Sequence, residues 1–221
     1  MHPGFRPFCG ALIVTCASAT QAQFAADHWI DIQVDSSIVQ QAEARMAPSE
    51  LDLEGHFSAG MIYENEVDWN FYVNDTLLRV QDASQKKHRV LFKSFYFWAG
   101  DTLDITGGVG LFGGIGFRAR VVGHRALINY FAAADEESEF SYGPSDTLLF
   151  RIDVPCTNTK LILSRMPDTA STGPIYGYVE FNGSPYCEAG GALDENGNFL
   201  EPRKKERSDA RLYFRTVWLK R

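Results

Sequence analysis

Polar side chains occupy every second position of the segment ENEVDWNFYVN, residues 64–74. Side chains two residues apart in a strand point to the same side and lie about 6–7 Å apart. Two carboxylates, an amide and a phenol would therefore share one face: Glu66, Asp68, Asn70 and Tyr72. Such a face can accept hydrogen bonds from the hydroxyl groups of a sugar. The alternative is the solvated side of an amphipathic strand, which is common where an antiparallel sheet is exposed on one face.

The stretch Glu66-Val67-Asp68 resembles part of the E-x-D-x-E strand of the laminarinase-like glycoside hydrolases. These enzymes are jelly rolls that use one carboxylate as the nucleophile and one carboxylic acid as the proton donor. The resemblance covers five residues, and Asn70 stands where the family has its acid/base glutamate. It implies a glycoside-active enzyme that uses Glu66 and Asp68, whereas the missing proton donor favours a site that binds without cleaving.

Aromatic residues make up 13% of the chain, and four of them are consecutive in FYFW, residues 95–98. A strand must place two of these rings on each face. Rings at the edge of a sheet can stack on a sugar or an apolar ligand, so Trp98 is a candidate ligand contact. Packing in the core is the alternative role for any one of these rings.

Six glycines fall within ITGGVGLFGGIGF, residues 105–117. Gly108, Gly110 and Gly113 have the G-x-G-x-x-G spacing of a dinucleotide site, but that site requires a strand–helix–strand unit. The residues that follow, GFRARVV, alternate as a strand does. We therefore predict a strongly curved β-sheet in which a ring or a ligand lies against bare backbone.

Residues 1–22 have the layout of a secretory signal peptide. Arg6 precedes an apolar run over residues 8–19, and small residues stand before a cleavage site after Ala22. We therefore expect a secreted or periplasmic protein. A lipoprotein anchored through Cys16 is the alternative.

Cleavage after Ala22 would leave two of the four cysteines, Cys156 and Cys187. An even pair of cysteines in an oxidising compartment predicts a disulfide.

Charge and histidine spacing limit the possible partners. The chain has 21 basic and 28 acidic residues, a net charge of −7 that becomes −8 when Arg6 leaves with the signal peptide. Such a protein repels nucleic acid and anionic membranes, so the expected partner is a glycan, a small molecule or another protein, without a membrane span. Histidines at positions 28, 56, 88 and 124 lack the spacing of a metal site, and no metal or other cofactor is expected.

Strand-like alternation dominates the chain after the signal peptide. One helix is predicted, with a capping box at Ser37 and Gln40 and an end at Pro48. Turn signals at Asn74-Asp75 and Asn182-Gly183 favour antiparallel pairing. The expected fold is an all-β antiparallel sandwich, jelly roll or closed barrel of about ten strands, forming a single domain over residues 23–221.

These observations favour a non-catalytic binding protein that holds a glycan or a small apolar ligand against a concave sheet. The candidate ligand contacts are Glu66, Asp68, Asn70, Tyr72 and Trp98. Two alternatives stay open: the glycoside-active enzyme that would use Glu66 and Asp68, and an interaction protein without a ligand pocket, such as a periplasmic inhibitor or a surface assembly subunit.

Overall fold

The computed structural model describes seven stretches of the chain, residues 28–49, 61–78, 89–110, 113–135, 137–190, 194–195 and 199–219. The predicted signal peptide over residues 1–22, with Cys16, lies outside these stretches. Within them, no helix is long and apolar enough to cross a membrane.

The described residues form one helix and a single sheet of 14 strands. In chain order these elements are β1 (Ile30–Asp31), β2 (Gln33–Val34), α1 (Ile38–Glu43), β3 (Met46–Pro48), β4 (Met61–Val73), β5 (Thr76–Leu78), β6 (Arg89–Ala99), β7 (Thr102–Val109), β8 (Gly114–Val122), β9 (Arg125–Ala133), β10 (Phe140–Ser141), β11 (Arg151–Leu163), β12 (Ile175–Gly183), β13 (Tyr186–Glu188) and β14 (Lys204–Trp218).

The long strands close the sheet into a barrel. Each pairs antiparallel with its neighbour in the order β4, β6, β7, β8, β9, β11, β12 and β14, and β14 returns to pair with β4. Neighbours in this ring follow one another along the chain, so the barrel has up-and-down connectivity. The predicted all-β antiparallel fold with one short helix is confirmed, and its sheet is closed.

The inner face of the barrel is apolar because side chains alternate along each strand. On β12, Val179 and Phe181 are buried in the core, whereas Glu180 between them points outward. The rings of Phe117, Tyr130 and other large side chains are fully buried, so the middle of the barrel is packed.

The two ends of the barrel differ. At the upper end, β4, β9 and β12 finish and β8, β11 and β14 begin, and β13 and β10 extend the sheet there along the edge of β14. At the lower end, the extended segment β1–β2 pairs with both β9 and β11. The helix α1 packs against β12 and β14.

Side chains complete the seam at the place where β14 leaves β4 and crosses to β6. Asn65 Nδ2 donates a hydrogen bond to the carbonyl of Tyr213 at 2.7 Å. The hydroxyl of Tyr63 accepts one from the backbone N–H of Arg215 at 2.9 Å. Since Asn65 is fully buried, its amide replaces backbone pairing where water cannot reach.

The glycine-rich segment forms the antiparallel pair β7 and β8, and the strand interpretation is confirmed. Among the described residues, the element that follows β7 is the antiparallel strand β8 and not the helix that a dinucleotide site needs. A side chain at Gly116 would meet the ring of Phe131 at 2.5 Å, and one at Gly107 would meet the ring of Phe117 at 2.8 Å. Rings therefore lie against bare backbone on both faces of this pair.

The helix differs from its prediction at both ends. Ser37 makes no side-chain cap; instead Asp35 Oδ1 accepts a hydrogen bond from the backbone N–H of Ser37 at 2.8 Å. Hydrogen bonding to Ser37 also lowers the pKa of Asp35. The helix ends at Glu43, and Pro48 belongs to β3, because pairing with β4 replaces the predicted last turn.

One of the two predicted turns is formed. Asn74 and Asp75 connect β4 to β5 with φ values of 49° and 63°, which are typical of a type I′ turn. The prediction for Asn182-Gly183 was wrong, since both residues continue β12 and pair with β11.

The predicted disulfide is not formed: Cys156 and Cys187 are free, buried thiols. Cys156 lies in the barrel core. On β13, the ring of Tyr186 stacks inward on Tyr130, so the next residue, Cys187, points to the opposite side of the sheet. This alternation separates the thiols, and burial raises the pKa of both.

Candidate functional site

The polar face of β4 lies on the outside of the barrel. The residues predicted to share it do so: Glu66, Asp68, Asn70 and Tyr72. Arginines cover part of this face, since Arg89 Nη2 lies 3.8 Å from Glu66 Oε1 and Arg207 Cζ lies 4.1 Å from the centre of the Tyr72 ring. An outer barrel face is convex, so these residues do not surround a ligand.

Trp98 is far from this polar face along the barrel. It lies near the end of β6 and lines a cavity of about 300 Å³ at the lower end, together with Asp101, His124 and Met166. The candidate contacts predicted from the sequence are therefore not brought together into one site.

A larger cavity, of about 470 Å³, opens at the upper end of the barrel. Its volume is within the range of about 300–1,000 Å³ that is usual for small-molecule sites. The lining comes from β4, β8, β9, β10, β13, β14 and the connections between them. The described lining residues are Phe71, Gly113, Gly114, Ile115, Tyr130, Ala133, Ala134, Asp135, Glu139, Phe140, Tyr186, Glu188 and Glu206.

Aromatic rings form the apolar part of this upper cavity. The rings of Tyr130 and Tyr186 are stacked with centroids 5.8 Å apart, and Phe140 meets Tyr186 edge to face at 5.9 Å. Phe71 approaches from β4. These positions follow from strand alternation, which turns each of these side chains to the inner face.

Hydrogen bonds connect the rings to two carboxyl groups. The hydroxyls of Tyr130 and Tyr186 are 3.3 Å apart, and the Tyr186 hydroxyl donates to Glu206 Oε2 at 3.2 Å. Since Tyr186 uses its proton for Glu206, the hydrogen bond between the tyrosines is donated by Tyr130. Burial raises the pKa of Tyr130 to about 12 and raises that of Tyr186 as well.

Two carboxyl groups, those of Glu188 and Glu206, line the upper cavity from the paired strands β13 and β14. Burial first, and then the hydrogen bond to Glu206, raise the pKa of Glu188 to about 8. The charge of Glu139 acts in the same direction, and that of Lys204 opposes it. Glu188 therefore holds a proton more readily than an exposed carboxyl group does, as expected for two carboxyl groups that share a site.

A buried hydroxyl lies below this pair. Ser208 is 1% exposed and is paired in register with Phe71, two residues along β14 from Glu206. A side-chain hydrogen bond with Ser208 opposes the rise in the pKa of Tyr130. Ser208 therefore extends the group of Tyr130, Tyr186 and Glu206 towards the core, below the cavity.

Sequence reasoning missed this site because its members are far apart along the chain. Tyr130 and Tyr186 are 56 residues apart, and Glu206 lies in a mixed charged run that resembles a solvated surface. The sequence does contain one signal of this site. Tyr186 and Glu188 are two residues apart, as are Glu206 and Ser208, so the members of each pair share one face of their strand. The two strands are neighbours in the sheet.

Among the described residues, no group of three or more His, Cys, Asp or Glu side chains is placed to hold a metal ion.

Comparison with protein-family models, with curated proteins and with solved structures finds no significant match to this chain. The function must therefore be inferred from the geometry and chemistry of the upper cavity.

Proposed function

We propose that the protein binds a small ligand, without chemical conversion, in the cavity at the upper end of its barrel. The observation that carries this proposal is the combination of a 470 Å³ opening with stacked aromatic walls and inward hydroxyl and carboxyl groups. Small-molecule sites have this composition, an apolar surface with a few convergent polar groups. A small apolar ligand or a sugar remains the expected class, since rings stack on both and carboxylates accept hydrogen bonds from hydroxyls.

We propose the upper cavity as the ligand site, and not the outer face of β4, because a cavity can surround a ligand. Glu66 is engaged with Arg89 across the strand pair, and Asp68 is exposed on a convex surface. A glycoside hydrolase that uses Glu66 and Asp68 would also need a proton donor, which Asn70 cannot supply.

We also propose that the protein is exported, with residues 1–22 removed. The intact mass of the exported protein tests this, because it should correspond to a chain that begins at Gln23. A mass that includes residues 1–22, or one that carries a lipid on Cys16, would contradict it.

The binding proposal is tested by a thermal-shift screen with neutral mono- and disaccharides, short-chain alcohols and fatty acids, and small ammonium compounds. We expect at least one class to raise the melting temperature, since a ligand that binds only the folded state stabilises it. Ile115→Trp, which fills the cavity from β8, should abolish that shift. Val122→Trp, at an exposed position on the same strand, is the matched control and should retain it. If no class shifts the wild-type protein, or if Ile115→Trp binds as well as wild type, the proposal is wrong.

A further inference from the structure

The described charged side chains that line the upper cavity are all acidic. Four of the described residues that line it are carboxylic acids, and none is basic: Asp135, Glu139, Glu188 and Glu206. Two basic residues on and before β14 form ion pairs or hydrogen bonds outside the cavity. Lys204 pairs with Glu201 at 3.1 Å, and Arg203 bonds to Ser141 and to backbone carbonyls of the connection after β10. The field inside the cavity is therefore negative and favours a cation.

The aromatic walls restrict the kind of cation. A small inorganic ion would need several oxygens converging on one point, and the described acids do not converge in this way. The faces of aromatic rings attract organic cations, and recognition of quaternary ammonium groups by several rings is the best-known example. Tyr130, Tyr186, Phe71 and Phe140 supply such rings beside the carboxyl groups.

Two carboxyl groups in the cavity are arranged to respond to a ligand. Glu188 and Glu206 lie on the paired strands β13 and β14 and both line the cavity. Burial and repulsion between the two groups favour a proton on Glu188, and a cation that enters can take the place of that proton.

We propose that the ligand of the upper cavity is a small organic cation, an alkylated ammonium group attached to an apolar or hydroxyl-bearing body. This inference deepens the proposed binding function and rests on it. The ammonium group lies among the rings and against Glu206, and Glu188 releases its proton as the cation enters. One positive charge enters and one leaves, so the charge of the cavity is unchanged. Glu139 and Asp135 on the β9–β10 connection add negative charge, and Lys204 on β14 opposes it.

The test compares choline with 3,3-dimethylbutan-1-ol, its neutral isostere, by isothermal titration calorimetry on the full chain. We expect choline to bind at least about tenfold more tightly, as cation–π attraction in a desolvated site allows. Its affinity should rise as the pH increases from 6 towards 8, and binding at pH 7 should release protons into the buffer. The affinity of the neutral alcohol should not change over this range.

Glu206→Gln is the variant that separates charge from shape, since the amide oxygen can still accept the Tyr186 hydrogen bond. It should remove the preference for choline and leave the affinity of the alcohol unchanged. Glu180→Gln, the same change on the outer face of β12, should bind as wild type does. Equal binding of choline and the alcohol by the wild type would contradict the proposal that the ligand is a cation. The proposed binding function would still stand. If neither binds and the thermal-shift screen also finds no ligand, both proposals are wrong.

Discussion

At the scale of single residues, the properties of the upper end depend on where strand alternation points each side chain. Tyr186 and Glu188 face inward on β13, and Cys187 between them faces the other way. The same alternation on β14 places Glu206 and Ser208 in the barrel. A shift of one residue in either strand would reverse these positions, so register decides both the acidic pair and the absence of a disulfide.

The ionisation of Glu188 should make stability depend on pH. Its pKa is about 8 in the folded chain and about 4.3 in an unfolded one, so the folded state binds more protons between these values and stability falls as the pH rises. Glu188→Gln should therefore be more stable than wild type at pH 9 by about 1–3 kcal/mol, after allowance for partial exposure, and the difference should shrink towards pH 5. Urea unfolding at several pH values measures this. Glu64→Gln, at an exposed position, is the control; an equal difference at pH 5 and pH 9 for Glu188→Gln would contradict the account.

Two free thiols are expected from Cys156 and Cys187. In a chain with Cys9 and Cys16 replaced by serine, both should react with a thiol reagent after denaturation without reductant. In the folded protein both should react slowly, since burial raises the pKa of each thiol and the thiolate is the reactive form. A denatured, unreduced chain without reactive thiols would show that the disulfide exists.

At the scale of elements, the packing of the β7–β8 pair depends on glycines, which have no side chain. Gly116 allows the ring of Phe131 on the neighbouring strand to lie on its backbone, and Gly107 does the same for rings inside the barrel. The sequence predicted this pair because alternation on both sides of the glycines is local. The sequence predicted that the helix would continue to Pro48, but Met46–Pro48 form the strand β3. This difference depends on pairing with β4, which local sequence does not reveal.

Gly116→Ala should destabilise the barrel by about 1–3 kcal/mol, the usual cost of overpacking a close contact. The new methyl group would meet the ring of Phe131 and the carbonyl oxygen of Gly107, and the carbonyl belongs to backbone that cannot move easily. Gly173→Ala is the matched control, since its nearest neighbour would be the end of the Arg165 side chain at 3.6 Å; its effect should be below about 0.5 kcal/mol. Urea unfolding of both variants gives the comparison, and a Gly116→Ala protein as stable as the control would contradict the packing described.

At the scale of the whole molecule, closure of the sheet creates the site. The strand β12 and the second half of β14 are recognisable from the sequence pattern, whereas the first half of β14 lies in a charged run without such a pattern. The return of β14 to β4 is a contact between distant segments, and no local pattern encodes it. The polar face of β4 was correctly predicted as a face, but only closure decides that it lies outside and that Glu188, Glu206 and the tyrosines meet inside.

The most direct test of a ligand site at the upper end is to follow backbone amide resonances by NMR while choline is added to ¹⁵N-labelled protein. Shifts should concentrate on residues that line the cavity, such as Phe71, Ile115, Ala134 and Glu188, and they should saturate with one affinity. The amides of Glu66 and Asp68 on the outer face of β4 should move little. Shifts that concentrate on the outer face of β4 would contradict the account. Unchanged resonances around the cavity, with millimolar choline and with each class of compound in the thermal-shift screen, would contradict it as well.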